Sequence, residues 1–135
     1  MTDNAVRPIG VFDSGIGGLT VVAEIMRQLP NEGIVYFGDT ARLPYGPKSE
    51  ETVERFSVQD TELLLRHDVK MVVVACNTAS SSAIDELRSR FEVPIIGVIR
   101  PGALAAVSTT LAGKIGVIGT EGTIGSHAYE REIRK

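Results

Sequence analysis

Two kinds of segment alternate along the whole chain, and this alternation restricts the fold more than any other feature. Short, nearly continuous apolar runs rich in β-branched residues occur at Ile9–Phe12, Ile34–Phe37, Met71–Ala75, Ile95–Ile99 and Ile115–Ile118. Continuous runs, rather than strict apolar/polar alternation, are what strands covered on both faces of a parallel sheet require. Between the runs lie amphipathic stretches. Leu19, Val22, Ala23, Met26 and Leu29 recur at helical spacing, and Pro30 marks the stop. Val53, Phe56, Leu63 and Leu64 give a weaker stripe over residues 49–67, helped by Glu51 and Arg55 at i,i+4. Ala79, Ala83, Leu87 and Phe91 are spaced by four, and Pro94 forbids continuation. Residues 101–111 and 121–134 read as two further helices. The order β-α-β-α-β-α-β-α-β-α predicts an α/β fold with a doubly wound, mainly parallel sheet. The Arg100-Pro101-Gly102 turn is the expected domain junction, and Arg131–Lys135 falls inside the last helix with no cap after it, which reads either as a frayed terminal helix or as a truncated chain.

Composition narrows the function classes. The 135 residues are 43% hydrophobic and 23% charged, enough to build a core. The net charge is −3, so nothing suggests a nucleic-acid or anionic-membrane partner. The longest apolar run, Met71–Cys76, is far too short to span a bilayer, and the N-terminus carries no apolar leader segment. One cysteine excludes an internal disulfide. The expected compartment is the cytoplasm.

In a doubly wound sheet, ligands bind beyond the carboxyl ends of the strands. Four polar loops follow the apolar runs: Asp13-Ser14-Gly15-Ile16-Gly17-Gly18, Gly38-Asp39-Thr40 with Pro44-Tyr45-Gly46, Cys76-Asn77-Thr78, and Gly119-Thr120-Glu121-Gly122-Thr123. Together they would line a small-molecule pocket, although glycine-rich turns also arise simply because tight turns need positive φ. The glycine spacing does not match GxGxxG, no GxxxxGK[ST] is present, and Gly15 stands where a phosphatase loop would need a second aspartate. Cys76 reads either as inert core or, at a helix start that favours its thiolate, as a nucleophile or base. Ser82 excludes a Cys-x5-Arg phosphatase loop. A Cys–His pair would need His67, at the wrong end of its helix, or His127, which reads first as a surface residue. The two histidines are too far apart to make a chelating pair, and no CxxC or HxxxH occurs, so no metal is expected. Tyr45 is either a packing aromatic or a pocket wall, and the charges of Glu130–Lys135 read as a solvated helix face.

Taken in order, Ile9–Thr20, Gly38–Arg42, Pro44–Gly46, Ala75–Ala79 and Gly116–Thr123 resemble the glutamate racemases of the aspartate/glutamate racemase superfamily, from about residue 7 to the end of the chain. The resemblance implies interconversion of L- and D-glutamate without cofactor or metal, by two cysteines on opposite faces of the substrate, for peptidoglycan biosynthesis and cell shape. It gives Cys76 the removal of the α-proton of D-glutamate. Asp13 would assist that thiol or orient the substrate ammonium. Ser14, Pro44, Tyr45, Gly46, Asn77, Thr78, Thr120 and Thr123, with Asp13, would bind the substrate, and a homodimer is implied. It also implies residues 1–99 as most of a first domain and 100–135 as the opening of a second. The family's second cysteine, in a Cys-Thr-His string, is absent, and its members are about twice this length. The expected fold is therefore incomplete and the chain is expected to racemise little. The alternatives are an inactive fragment, a module that binds an acidic metabolite without catalysis, and a one-base decarboxylase or isomerase acting through Cys76.

Overall fold

The computed structural model describes residues 5–135; the absence of a leader, read in part from residues 1–4, concerns positions outside them. Four strands, β1 (Ile9–Asp13), β2 (Ile34–Gly38), β3 (Met71–Val74) and β4 (Ile95–Gly97), form one parallel sheet in the order β2-β1-β3-β4. Seven helices accompany them: α1 (Leu19–Gln28), α2 (Glu50–Leu65), α3 (Asn77–Ser82), α4 (Ile84–Arg90), α5 (Ile99–Thr109), α6 (Glu121–Gly125) and α7 (Ala128–Ile133). The predicted doubly wound α/β architecture is observed. The chain winds outward from β1 to β2, then returns across β1 to β3 and on to β4, so the winding reverses between β1 and β3. In doubly wound sheets such a reversal is where ligands bind, at the carboxyl ends of the two strands.

The two faces of the sheet are covered unequally. On one, Phe12, Val72, Val74 and Ile95 pack against Val53 and Leu64 of α2, Ala79 of α3 and Leu87 of α4. On the other, Ile9, Val11 and Ala75 meet Val21, Val22 and Ile25 of α1, with Ile34, Tyr36, Met71 and Val73 of the neighbouring strands around them. Full burial on both faces, expected of every strand, therefore holds for β1, whereas β2 is half-buried throughout and β3 alternates. The long helix α2 begins where Ser49 accepts the Thr52 N–H at 3.3 Å and Glu50 and Glu51 face the positive helix end. Ser80 clips β3 to the exit of β4, donating to Val74 O at 3.0 Å and accepting the Val98 N–H at 3.2 Å.

Four expectations need correction. Residues 115–118 are not a strand. A strand exists by pairing, and among the described residues none lies beside this segment, which leaves Ile118 98% exposed. The helix expected over Ala79–Phe91 breaks at Ala83 into α3 and α4. The one expected over 121–134 breaks at His127, whose φ of 54° ends α6 and starts α7. The Arg100-Pro101-Gly102 turn is the first turn of α5, where a proline lacks no needed donor, and Ile99 belongs to this helix rather than to β4. Helix α5 packs on α7 and α6 on α3, so this C-terminal group borders the sheet instead of extending it. No helix among the described residues is long and apolar enough to cross a membrane.

Candidate active site

Two of the polar strings singled out in the sequence, those after β1 and β3, meet at the winding reversal. In-register pairing of Phe12 with Val74, followed by donation from the Ala75 N–H to Phe12 O at 2.8 Å, sets Asp13 and Cys76 just beyond adjacent strand ends. Asp13 is buried, and its Oδ2 accepts the Gly18 N–H at 2.8 Å, fixing the loop that leads into α1. That loop is tight: a Cβ on Gly18 would lie 2.7 Å from Asp13 Cβ and 3.0 Å from Ala75 Cβ. Tyr36 steadies it from β2, donating to Gly15 O at 3.0 Å. Burial and the nearby Asp13 charge push the phenol's pKa up, which keeps it a donor.

Cys76 caps α3. Its Sγ accepts the Ala79 N–H at 3.4 Å and lies 3.4 Å from Ser14 Oγ, the side chain being 5% exposed. A serine hydroxyl accepts from a thiol and donates to a thiolate, so this contact serves the sulfur in either state. The sulfur thus belongs to the buried core and is also held among polar partners at a strand end.

A second cluster adjoins it. Thr78 Oγ1 lies 2.8 Å from Thr120 Oγ1 and 3.4 Å from Thr123 Oγ1, and the last two are 3.0 Å apart. Thr120 also caps α6 by accepting the Thr123 N–H. The Pro44–Gly46 turn presses on the same place: a Cβ on Gly46 would fall 2.9 Å from Thr120 Cβ and Cγ2, and one on Gly122 would meet Gly46 O at 3.2 Å. Ser14 is therefore joined to Cys76, and Thr78, Thr120, Thr123 and Gly46 to one another. Two side chains turn elsewhere. Asn77 Oδ1 accepts from the Tyr129 hydroxyl of α7 at 2.6 Å, and Tyr45 points into the core, 1% exposed, so only the backbone of its turn faces the threonines. His127 is exposed and paired with Glu130, away from any thiol contact. Among the described residues no three His, Cys, Asp or Glu side chains gather to hold a metal ion. Two concavities border α3, of about 320 and about 450 Å³, but Asp13 and Cys76 line neither; strand ends, not a closed cavity, place the sulfur.

The profile of the Asp/Glu/hydantoin racemase family matches residues 9–135. The chain belongs to this family. It is 54% identical over 129 residues to the glutamate racemase of Geobacter metallireducens, an alignment that covers 96% of this chain and 48% of that protein. It superposes with a TM-score of 0.92 on a glutamate racemase isoform from Bacillus anthracis, at 52% identity over 95% of this chain and 48% of the other. It also superposes with a TM-score of 0.86 on the Francisella tularensis glutamate racemase solved with D-glutamate, at 46% identity over 96% of this chain and 48% of the other. The chain thus spans about half the length of the relatives it matches.

Sequence reading of this family member missed a buried group beneath the Pro44–Gly46 turn. The Tyr45 hydroxyl meets Asp39 Oδ2 and, at 2.9 Å, Asp60 Oδ2. Arg42 donates from Nε to Asp39 Oδ2 and from Nη2 to Asp60 Oδ1, each at 2.6 Å, and from Nη1 to Gln59. Its guanidinium stacks 4.2 Å above the Phe56 ring. Burial pushes Asp60 up to about 7, and burial with the two carboxyl groups pushes the Tyr45 phenol well above its usual range. One local signal existed: Asp60 shares the buried face of α2 with Val53, Ser57 and Leu64, where an acidic side chain needs a partner.

Proposed function

We propose that this chain carries one face of a glutamate-racemising centre, with Cys76 as the base that removes the α-proton of D-glutamate. The observation behind it is the sulfur's place, beyond the strand end beside Asp13, 3.4 Å from Ser14 Oγ and from the Ala79 amide. The Cys76 thiolate takes the proton and becomes a thiol. The electron pair left on the α-carbon is delocalised into the substrate carboxylate, whose growing charge is met by the α3 amides that lack intrahelical acceptors and by threonine hydroxyls. Ser14 follows the sulfur through both states, and Asp13 orients the substrate ammonium. Thr78, Thr120 and Thr123, with the backbone N–H groups of Asn77, Tyr45 and Gly46, hold the two carboxylates, and Pro44 shapes the turn. Return of a proton by Cys76 restores D-glutamate, whereas inversion needs an acid on the opposite face, and this chain's one cysteine is already used.

The same reading takes residues 1–99 as most of a first domain and 100–135 as the opening of a second, a division supported by the packing of α5 on α7. It assigns the product to cytoplasmic peptidoglycan biosynthesis and the assembly to a homodimer. Proton NMR of D-glutamate with this chain in deuterated buffer is the test. Loss of the α-proton signal with retained configuration, abolished in Cys76→Ser, is expected. A folded chain that exchanges nothing, or exchanges as fast without the thiol, refutes the assignment of the base.

A further inference from the structure

The buried group beneath the Pro44–Gly46 turn has fewer hydrogens than its contacts demand. A phenol carries one hydrogen, yet the Tyr45 oxygen is within hydrogen-bond distance of two carboxyl groups, Asp39 and Asp60. If both were ionised, one of these contacts would set lone pair against lone pair. The charges disagree in the same direction. Asp39 and Asp60 are 3% and 1% exposed, and among the described residues the cation bonded to them is Arg42, so two buried anions would share one positive charge. A single added proton resolves both problems. Asp60 Oδ1 already accepts from Arg42, which leaves Oδ2 to carry it.

We propose that Asp60 is a positioning residue for the Pro44–Gly46 turn: its carboxyl retains a proton that it donates to Tyr45, Tyr45 donates to Asp39, and this relay fixes the turn against the Thr78–Thr120 cluster. Three connections give the relay its reach. Asp39 begins where β2 ends, and its N–H donates to Asp13 O at 2.8 Å. Asp60 belongs to α2, which packs on β1, β2 and α3. Gly46, next to Tyr45, touches Thr120 so closely that it has no room for a side chain. Loss of the proton would put a second negative charge beside Asp39, leave the Tyr45–Asp60 contact without a hydrogen, and release the turn. The elevated Asp60 titration, caused chiefly by burial, agrees with this. The ionisable groups facing Asp60 are Tyr45, Asp39 and Arg42. From α4, Glu86 and Arg90 act on Glu54 and Glu62 of α2 instead, and α3 contributes no charged side chain.

The inference rests on the proposed glutamate site only for its effect on substrate, and its test has two independent arms. In the first, amide resonances of Gly46 and Thr120 are followed by nitrogen–proton NMR from mildly acid to mildly alkaline buffer. Both should move with one midpoint near neutrality. Asp60→Asn supplies a neutral amide that donates to Tyr45 and accepts from Arg42, so it should hold both resonances at their acid-side positions and abolish the titration. Asp60→Ala, lacking donor and acceptor, should displace them at every pH. In the second arm, KM for D-glutamate exchange should rise about tenfold per pH unit above the midpoint with kcat little changed, and Asp60→Asn should flatten that rise. The proposal is overturned if Asp60→Asn displaces Gly46 as far as Asp60→Ala does, because Asp60 would then act as an anion paired with Arg42. It is equally overturned if neither resonance titrates near neutrality. A wild-type chain that exchanges no glutamate at any pH defeats the proposed function, while the resonances still decide the relay.

Discussion

Gly18 separates two influences that usually act together. Its backbone is helical, with φ −61° and ψ −14°, so alanine is conformationally welcome there. Propensity alone makes Gly18→Ala stabilising by up to ~1 kcal/mol. The new Cβ, however, would lie 2.7 Å from Asp13 Cβ and 3.0 Å from Ala75 Cβ, both fixed to the backbone of adjacent strand ends. To reach an ordinary contact of 3.4 Å, the Asp13 and Gly18 backbones must part by about 0.7 Å, the difference from 2.7 Å. Overpacking of that kind costs ~1–3 kcal/mol, and a mid-range cost of about 2 against a gain of about 0–1 leaves a net loss of about 1–2 kcal/mol. At ~2.1 cal/mol/K of unfolding entropy per residue, 135 residues convert this into a fall in Tm of about 4–7 °C. The displacement also strains the 2.8 Å Gly18–Asp13 hydrogen bond and shifts Asp13 from Cys76, so exchange of D-glutamate should fall by ~10- to 100-fold. Circular-dichroism melts and exchange rates on the same preparations measure both effects. Gly15→Ala is the control, since a Cβ there meets nothing within 4 Å. A Gly18→Ala chain that melts higher than wild type would refute the packing argument outright.

Three further outcomes follow from the core and its titrating groups. Leu87, fully buried under α4, should cost ~2–5 kcal/mol on truncation to alanine, read from urea unfolding midpoints. Ser57 Oγ is buried on α2 without a hydrogen-bond partner, so Ser57→Ala should stabilise by about 1 kcal/mol and raise Tm by a few degrees. Asp60 titrates near 7 in the fold against 3.8 for an ordinary aspartate, so between those values the native chain holds a proton that the unfolded chain has released. Its contribution to stability is complete below about 4, declines as pH rises and is gone above about 7, amounting to on the order of 4 kcal/mol. Urea titrations across that range should show the slope in wild type and a flatter line in Asp60→Asn.

What the sequence made legible was whatever depends on neighbours along the chain. The apolar run Ile9–Phe12 announces β1, and the polar strings that follow the runs mark the carboxyl edge of the sheet, although which strand ends meet there is settled only by the pairing of β1 with β3. Pattern failed where a segment's state depends on what lies beside it. Residues 115–118 have the composition of a strand but no described strand to pair with, and Ala83 and His127 interrupt helices whose apolar periodicity continues through them. The buried relay was hidden for a similar reason. Arg42 and Asp60 are eighteen positions apart, and although the helical spacing of Asp60 puts it on the apolar face of α2, nothing along the chain names its partner until α2 folds over the loop.

Tyr45 shows how the two levels meet at the site. Sequence left it as a packing aromatic or a pocket wall, and the structure gives these roles to different atoms of one turn. The ring packs 5.6 Å from Phe56 and the hydroxyl closes the Asp39–Asp60 relay, while the neighbouring Gly46 backbone abuts Thr120. A phenylalanine could fill the same space but could not join two carboxyl groups, and any residue with a Cβ at 46 would be forced away from Thr120. The Tyr-Gly pair therefore couples a charged interior to the threonine cluster through adjacent residues. In the proposed relay the protonation of a carboxyl on α2 would act on the turn beside the threonine cluster without touching any ligand held there.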